Sequence, residues 1–415
     1  MSDVADICRR AAAAAPAVAK LSTQTKNAAL EAMASALEGS RDAIADANSQ
    51  DVDRASSEGT SASLIDRLTL THSRIAAMAE GLRAIGVQPD PVGEVIEGWR
   101  RPNGLLIQRV RVPLGVVAVI YEARPNVTAD VAGLCLKSGN ACVLRGSSVA
   151  LSSNRAIVDA LRAAAVHEGV PADALVLIED ADRSSALALM QAKRLVDLLV
   201  PRGGPDLITS IEDHATVPYI IDGDGNCHVY VDKAADPHTA TAIILNAKTQ
   251  RPSVCNAAET LLVHAELADK WLPGALDGLA DRGVEIRGDE RVRHLWPKAT
   301  PATEEDWATE YLDLILAVGV VDSLDDAVAH INKWGTSNAD AIVTQDIDAA
   351  RRFADEVDSG SVFVNTSTRF SDGGQFGYGA EIGISTQKLH ARGPMGLREL
   401  TTAKYVVWGE GQLRD

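Results

Sequence analysis

A cysteine in a polar loop is the residue of this sequence most suited to covalent chemistry. Cys255 lies between a predicted helix over 239–247 and a predicted strand over 260–264. Lys248 and Arg251 precede it, and a partly exposed thiol near cations is held as the reactive thiolate. Local composition leaves a buried, unreactive cysteine as the alternative, because reactivity depends on a pKa that the sequence does not display.

The remaining cysteines do not suggest a disulfide framework or a zinc site. The count is odd and no two have CxxC spacing; the five are Cys8, Cys135, Cys142, Cys227 and Cys255. The first twenty residues lack the order of a signal peptide, and no apolar run reaches about 18 residues. We therefore expect a cytoplasmic protein, with no metal and no membrane partner, in which a catalytic thiol persists.

Length and charge narrow the class of protein further. A chain of 415 residues is too long for one simple core, so two or more domains are expected. The net charge is -17 and no basic cluster or tail is present, which argues against a nucleic-acid partner. An anionic substrate would need basic residues placed locally against that background field.

The elements that must position Cys255 follow an alternating pattern. Residues 1–100 are predicted to be helical, and short apolar runs then alternate with helical stretches. Runs of this length are typical of parallel strands buried on both faces, which predicts a doubly wound α/β fold. The first series of strands is predicted at 116–120, 141–144, 175–178 and 195–200, and the second at 228–231, 260–263, 284–286, 314–321, 341–343 and 361–364.

Two strand-to-helix turns could bind the phosphates of a nucleotide, although GxGxxG and P-loop motifs are absent from the sequence. Glycine turns before a helix let backbone N–H groups approach a phosphate. The candidates are Arg145, Gly146 and Ser147 in one turn and Arg202, Gly203 and Gly204 in the other. An ordinary connection between a strand and a helix remains an equal interpretation of both turns.

Taken together, these stretches resemble the aldehyde dehydrogenase superfamily and, within it, the γ-glutamyl phosphate reductase family. The match spans nearly the whole chain, and its last segment is long and specific. The segments that carry it are 112–126, 137–146, 201–204, 227–232, 246–256, 310–313 and 379–396.

The resemblance implies an aldehyde dehydrogenase-like α/β fold, with two doubly wound α/β domains and a small β element for oligomerisation. A composition shift at 222–226 is consistent with a boundary there. The expected divisions are 1–104 as the helical N-terminal part of the cofactor domain, 105–118 as a β-hairpin element, 119–226 as the NADP-binding domain, 227–397 as the catalytic domain, and 398–415 as a C-terminal oligomerisation strand. A simple edge strand is the alternative for that last segment.

The same resemblance implies the reaction. It is the NADPH-dependent reduction of L-glutamyl 5-phosphate to L-glutamate 5-semialdehyde with release of phosphate, the second step of proline biosynthesis. Cys255 matches the nucleophile that forms a thioester. Asn126 matches the residue whose amide forms an oxyanion hole with the Cys255 backbone N–H; a helix or turn cap after Pro125 is the alternative.

Further residues are implied for NADPH/NADP and for the substrate. Arg145 falls where the superfamily often has a cofactor-binding lysine, and Gly146-Ser147 replaces the Gly-Gly that is common in these reductases. Gly203 and Gly204 match the pyrophosphate turn. Glu310 matches a carboxylate that contacts the nicotinamide ribose, with a solvated charge as the alternative.

For the substrate's anionic groups, Arg369 is the preferred α-carboxylate ligand, because a guanidinium binds a carboxylate through two bonds. A surface salt bridge is the alternative for Arg369. Arg124 and Arg251 also lie in the motif loops, and Glu122 is a candidate for the α-ammonium group.

One departure from the superfamily supports the acyl-phosphate reaction. Hydrolytic members carry a glutamate upstream of the cysteine to activate water, and residues 220–226 contain none. Another acylating aldehyde dehydrogenase and a catalytically silent protein of this fold remain as alternatives, and a cysteine hydrolase is the least supported. The sequence contains no kinase domain, so we expect the substrate to come from a separate enzyme and predict transient contact with glutamate 5-kinase. The resemblance also predicts a homo-oligomer.

Overall fold

The computed structural model describes residues 4–221 and 223–414, which form two compact units. The first unit contains the described residues up to Ile221 together with 377–383 and 395–414. The second unit contains 223–376 and 384–394. The predicted α/β class is confirmed.

The helices and strands alternate along most of the described chain. In chain order the helices are α1 (Val4–Val18), α2 (Thr23–Gly39), α3 (Arg41–Ser57), α4 (Ala62–Leu68), α5 (His72–Val87), α6 (Asn126–Lys137), α7 (Leu151–His167), α8 (Arg183–Met190), α9 (Pro205–His214), α10 (Pro237–Thr249), α11 (Ala265–Ala280), α12 (Glu290–Leu295), α13 (Glu304–Ala308), α14 (Leu324–Trp334) and α15 (Ile347–Glu356). The strands are β1 (Val95–Arg100), β2 (Leu106–Pro113), β3 (Val116–Tyr121), β4 (Ala141–Gly146), β5 (Leu175–Leu177), β6 (Leu198–Arg202), β7 (Cys227–Val231), β8 (Ala258–His264), β9 (Glu285–Gly288), β10 (Thr300–Pro301), β11 (Ile315–Val321), β12 (Ala339–Val343), β13 (Ser361–Val364), β14 (Ile384–Ser385), β15 (Gly393–Pro394) and β16 (Thr401–Trp408).

The first unit is built on a four-stranded parallel sheet in the order β5-β4-β3-β6. Every residue of β3 and β4 is buried, which explains why, apart from Arg145, these strands lack charged residues. In parallel pairing the carboxyl ends of β3 and β6 meet, with Tyr121 opposite Arg202. The segments that follow these two strands therefore begin at the same edge of the sheet.

A separate three-stranded antiparallel sheet corrects the prediction of a hairpin over 105–118. β2 pairs with β1 and with β16, whereas β3 joins the parallel sheet. Gly115, at φ +132°, lies in the connection that sends the chain from one sheet to the other. β1 was missed because all six of its residues are exposed and so lack an apolar pattern. β16 is paired within its own chain, and its role in oligomerisation stays a prediction.

The second unit is built on a seven-stranded parallel sheet in the order β10-β9-β11-β8-β7-β12-β13. β7 and β8 lie at its centre and are fully buried. The loop between α10 and β8 carries Cys255. β14 and β15 form a short antiparallel pair in the same unit.

No helix in the described ranges is both long and apolar enough to cross a membrane. The same ranges contain no group of three or more His, Cys, Asp or Glu side chains arranged to bind a metal ion.

Candidate active site

The Cys255 loop is fixed at both ends by regular structure. α10 begins with Asp236 as its cap, whose carboxylate accepts the N–H of Thr239 at 2.8 Å, and with Pro237 in the first turn. The helix ends at Thr249, and β8 starts at Ala258. Cys255 itself is half-buried and in no disulfide bond, whereas the other four cysteines are buried.

Hydrogen bonds on both sides hold the backbone next to the thiol. The Cys227 thiol donates to the Cys255 carbonyl at 3.2 Å. The Thr368 hydroxyl donates to the Asn256 carbonyl at 2.7 Å, and the Asn256 amide donates to the Ser371 carbonyl at 2.8 Å. These bonds restrain the backbone at Cys255 and Asn256, which is the support that a covalent nucleophile at Cys255 would require.

Gly225 packs directly on residues 250–257, which are called the nucleophile loop after the predicted nucleophile Cys255. A Cβ atom built on Gly225 would lie 1.6 Å from the Cys255 carbonyl oxygen, so only glycine fits there. Its backbone N–H donates to Glu310 Oε1 at 2.8 Å. The structure thus brings the predicted nucleophile and the predicted ribose-binding carboxylate to one short segment, 223–226, of the second unit.

A buried ion pair spans the base of the same loop. Lys248 Nζ lies 2.5 Å from Glu259 Oε2, and both side chains are fully buried. Burial raises the pKa of Glu259 to about 7, while Lys248 opposes that shift. Burial also lowers the pKa of Lys248, against the attraction of Glu259.

Arg369 reaches the nucleophile loop from the segment after β13. Its Nε donates to Gln250 Oε1 at 2.9 Å, so the guanidinium is held beside the loop and is not in a carboxylate salt bridge through that atom. Burial lowers the pKa of Arg369; Asp372 opposes this shift and Arg251 adds to it. Arg251 is exposed on the loop itself. Of the predicted anion-binding residues, Arg251 therefore lies on the same loop as Cys255, and Arg369 contacts that loop through Gln250.

Asn126 is the first residue of α6 in the first unit and is exposed. Its side-chain amide donates to Asp130 Oδ2 at 3.2 Å, one turn further along the helix. The amide therefore does not cap the helix N-terminus. Burial raises the pKa of the half-buried Asp130 to about 6, and the Asn126 hydrogen bond and Arg202 oppose the shift.

Arg145 lies near the end of β4 and contacts the segment that precedes α8. Its guanidinium donates to the carbonyls of Ala181 at 2.6 Å and Asp182 at 3.0 Å, and burial lowers its pKa. Among the described residues, Arg145 Nε and Ser147 Oγ are buried without a hydrogen-bond partner. Gly146 leaves room for Asn154, whose Nδ2 would lie 2.1 Å from a Cβ there.

Glu122 follows β3 and contacts the turn after β6, whereas the sequence analysis predicted that it binds the substrate. The Gly204 N–H, at the start of α9, donates to Glu122 Oε2 at 3.1 Å. A Cβ on Gly203 would lie 2.7 Å from Glu122 Cδ, so this glycine is required by close packing. Arg202 precedes the pair in β6, and Arg124 is half-buried in the segment after β3. Glu122 therefore belongs to the predicted pyrophosphate turn.

Sequence reasoning missed several of these contributors. Glu259 could have been singled out, because a charged side chain inside the apolar run of β8 requires a buried partner. Gly225 and Thr368 carry no comparable signal, since their roles depend on backbone contacts between distant segments. The residues with missed roles are Cys227, Gly225, Lys248, Glu259 and Thr368.

Comparisons with known proteins show the family to which the chain belongs. Residues 1–288 and 302–406 match the model of the Aldehyde dehydrogenase family. The chain is 57% identical over 412 residues to the γ-glutamyl phosphate reductase of Thermobifida fusca, covering 99% of each chain. It is 56% identical over 407 residues to that of Moorella thermoacetica, covering 98% of this chain and 97% of the other.

Solved structures confirm the predicted aldehyde dehydrogenase-like fold. The crystal structure of γ-glutamyl phosphate reductase from Thermotoga maritima has a TM-score of 0.97 and 47% identity, covering 100% of both chains. An acetylating aldehyde dehydrogenase from Geobacillus thermoglucosidasius has a TM-score of 0.70 at 17% identity, covering 99% of this chain and 97% of the other, and shares the fold.

Proposed function

Since this chain belongs to the aldehyde dehydrogenase family and, within it, to the γ-glutamyl phosphate reductases, we propose that it reduces L-glutamyl 5-phosphate to L-glutamate 5-semialdehyde with release of phosphate. The observation that carries the proposal is the half-buried Cys255 in a loop held by hydrogen bonds from both sides, beside Glu310 and Arg369. The reaction places the enzyme at the second step of proline biosynthesis.

Cys255 supplies the nucleophile. Its thiolate attacks the γ-acyl carbonyl, the C–O bond to phosphate breaks, and an enzyme thioester forms. Phosphate leaves with the bonding electron pair, and because it is a good leaving group no strong general acid is needed. The nicotinamide cofactor, when bound, supplies the hydride that reduces this thioester to the aldehyde level. Collapse of the thiohemiacetal then returns the Cys255 thiolate and releases the semialdehyde.

Asn126 stabilises the negative charge that develops on the acyl oxygen, together with the backbone N–H of Cys255. Donors aimed at such an oxyanion each contribute about 10²–10³ in rate. The first-turn position and exposure of Asn126 support this role, because they leave an N–H of the side-chain amide available beside the one given to Asp130.

The charged ends of the substrate require side chains of the opposite charge. Arg369 is proposed to bind the α-carboxylate, and Arg251 the phosphate, since both belong to the surroundings of the nucleophile loop. Arg124 is a second candidate for an anionic group. Glu122 is retained as a candidate for the α-ammonium group, although its hydrogen bond to Gly204 supports a role in the cofactor turn.

The thioester must survive until it is reduced. Segment 223–226 supports this requirement. Hydrolytic family members carry a glutamate in the corresponding segment, whereas in this chain Gly225 packs on the Cys255 carbonyl. The carboxylate of that segment belongs to Asp224, which is exposed. The Glu310 carboxylate is occupied by the Gly225 N–H through one oxygen.

Members of the family use a nicotinamide cofactor. We propose NADPH as the reductant, because the reaction runs in the reductive, biosynthetic direction. The residues that would hold it are Arg145 and Gly146 at the end of β4, Ser147 directly after that strand, Arg202, Gly203 and Gly204 before α9, and Glu310. The buried polar atoms of Arg145 and Ser147 that lack partners among the described residues fit a polar ligand at that turn.

Partners beyond the substrate are also proposals. A homo-oligomer that uses the β1-β2-β16 sheet, a cytoplasmic location, and transient contact with glutamate 5-kinase would suit a labile acyl phosphate made by a separate enzyme. The contact with the kinase is motivated only by that lability.

The test is the reverse reaction. L-glutamate 5-semialdehyde, phosphate and NADP⁺ are mixed with the protein, and the absorbance of the reduced cofactor is followed. We expect phosphate-dependent reduction that is lost in Cys255→Ser and kept in Cys8→Ala, a variant of a buried cysteine in α1. Reduction that requires coenzyme A in place of phosphate would support a different acylating dehydrogenase, and full turnover in Cys255→Ser would rule out the nucleophile.

A further inference from the structure

The Lys248–Glu259 pair occupies an unusual position relative to Cys255. Lys248 lies in the last turn of α10 and Glu259 is the second residue of β8, so the pair joins the two ends of the nucleophile loop, residues 250–257. The Nζ–Oε2 distance is 2.5 Å and neither side chain is exposed. The charges are therefore unscreened by solvent and fix the separation of the two ends.

Glu259 also makes a contact outside the loop. Its second oxygen, Oε1, accepts the N–H of Leu312 at 3.2 Å. Leu312 has a φ of +53°, a left-handed conformation that costs energy for a leucine and persists only where its surroundings impose it. One carboxylate thus ties the nucleophile loop to the segment 309–313, which carries Glu310.

Tyr311 covers the pair from the side of that segment. Lys248 Nζ lies 5.9 Å from the centre of its ring. The Tyr311 hydroxyl donates to Asp306 Oδ1 at 2.9 Å, and the Arg287 guanidinium lies 5.2 Å from the ring. The segment is therefore held at Tyr311 and Leu312, the two residues that follow Glu310.

A second connection joins Glu310 to the nucleophile loop through Gly225. Glu310 Oε1 accepts the N–H of Gly225 at 2.8 Å, and Gly225 packs on the Cys255 carbonyl. Glu310 is thus linked to the nucleophile loop on one side through Gly225 and on the other through Leu312 and Glu259. Stability alone does not explain such a pair, because apolar residues of similar volume often replace a buried ion pair at no cost.

We propose that Lys248 and Glu259 are positioning residues. Their ion pair fixes the distance between the two ends of the nucleophile loop, and Glu259 also fixes the position of segment 309–313, which carries Glu310, relative to Cys255. The proposal rests on the proposed function in one respect only, namely the roles of Cys255 as nucleophile and Glu310 as cofactor ligand. Neither positioning residue needs to touch the substrate, since both side chains are fully buried.

The experiment compares the wild-type protein with the double variant K248M/E259L, which removes both charges and keeps apolar volume. Amide hydrogen exchange is followed by mass spectrometry, and the reverse reaction supplies kcat and the KM for NADP⁺. We expect exchange in 250–257 and 309–313 to accelerate at least about tenfold, with a similar rise in KM for NADP⁺ and a similar fall in kcat. Exchange in the first unit should not change.

The matched control is the buried pair of the first unit, Lys26 and Asp90, which lie 3.0 Å apart with side chains 1% and 9% exposed. K26M/D90N should leave exchange in both second-unit segments and the kinetic constants at their wild-type values. If K248M/E259L does not fold, E259D serves instead, because it keeps the charge and retracts the carboxylate by one methylene. It should give the same two-segment pattern.

A K248M/E259L or E259D protein with wild-type exchange in both segments and wild-type kinetics would overturn the proposal. A cycle with E310Q adds a test of mechanism: if the pair acts through Glu310, the effects of E310Q and E259D on the KM for NADP⁺ will be less than additive. The exchange measurement needs no substrate, so it stands even if the wild-type protein proves inactive on L-glutamate 5-semialdehyde.

Discussion

Gly225 and Glu310 are joined by a hydrogen bond of 2.8 Å from the glycine N–H to Oε1, 85 residues apart in the chain. The same glycine packs so closely on the Cys255 carbonyl that it leaves no space for a Cβ atom. The backbone of one residue therefore sets the spacing between the nucleophile loop and a carboxylate proposed to bind the cofactor.

Gly225→Ala should abolish most of the activity. The new methyl group would begin 1.6 Å from the Cys255 carbonyl oxygen, so the backbone must move and shift the thiol. Because small misplacements of a reacting group cost about 10²-fold in rate, we expect a loss of at least that size in kcat. The measurement is the rate of the reverse reaction, with folding checked by circular dichroism.

Gly274→Ala is the matched control for this substitution. Gly274 lies inside α11, and no atom lies within 4 Å of a Cβ built on it. Alanine there should leave activity intact and stabilise the helix by about 1 kcal/mol. Equal activity of the two variants would show that the contact with Cys255 does not matter.

Asn126→Ala should reduce kcat by about 10²–10³ while changing KM little, because the donor acts on charge that exists only in the transition state. The variant should fold normally, since the side chain is exposed and its hydrogen bond to Asp130 is local to α6. Steady-state kinetics of the reverse reaction give both constants. A rise in KM with unchanged kcat would instead assign Asn126 to ground-state binding.

Except for β10, whose two residues are exposed, the sequence predicted the strands of both parallel sheets, because buried parallel strands carry largely apolar runs. It failed at β1 and at the partner of β2 for the opposite reason. The sheet β1-β2-β16 has no fully buried face. Its exposed large side chains include Trp99 and Tyr405, whose rings pack edge to face with their centres 6.3 Å apart. Pairing between residues almost 300 positions apart leaves no local pattern.

Candidate site residues could be predicted only where a sequence motif contains a residue type suited to the chemistry. Cys255 was singled out from its loop and its neighbours. Arg369 was singled out from a motif segment, and it donates a hydrogen bond to Gln250 of the Cys255 loop. The roles of both residues stay predictions. Glu122 was assigned to the substrate because its charge suits an ammonium group. The structure ties it to Gly204, since the carboxyl ends of β3 and β6 share an edge, a relationship that depends on strand order.

Arg369→Ala should raise the KM for L-glutamate 5-semialdehyde at least about tenfold, because a carboxylate would lose a charge-assisted donor in a partly buried setting. Arg369→Lys should recover little of this loss, since an ammonium group cannot form two parallel hydrogen bonds. Arg162→Ala is the control, because the Arg162 side chain is 43% exposed and lies 3.3 Å from Asp159 of the same helix, and this variant should keep the wild-type KM. An unchanged KM in both Arg369 variants would remove this residue from the substrate site.

His330 should make the protein less stable in acid. Burial lowers its pKa from 6.5 to about 3, and His228 and Lys333 add to the shift. Between these two values the unfolded chain binds a proton that the folded chain excludes, so the stability present above pH 6.5 is lost as the pH falls toward 3. From pH 7.5 to 5.5 the loss attributable to this group should be about 1 kcal/mol.

His330→Phe removes the titrating group and keeps an aromatic ring against Trp307, whose ring centre lies 5.1 Å from that of His330. Urea unfolding of both proteins at pH 7.5 and pH 5.5 measures the effect, and the variant should lose about 1 kcal/mol less between the two pH values. His72→Phe, at a side chain that is 59% exposed, should lose as much as the wild type. If His330→Phe shows the full wild-type dependence instead, the acid sensitivity originates in other groups and the exclusion of a proton from His330 contributes nothing.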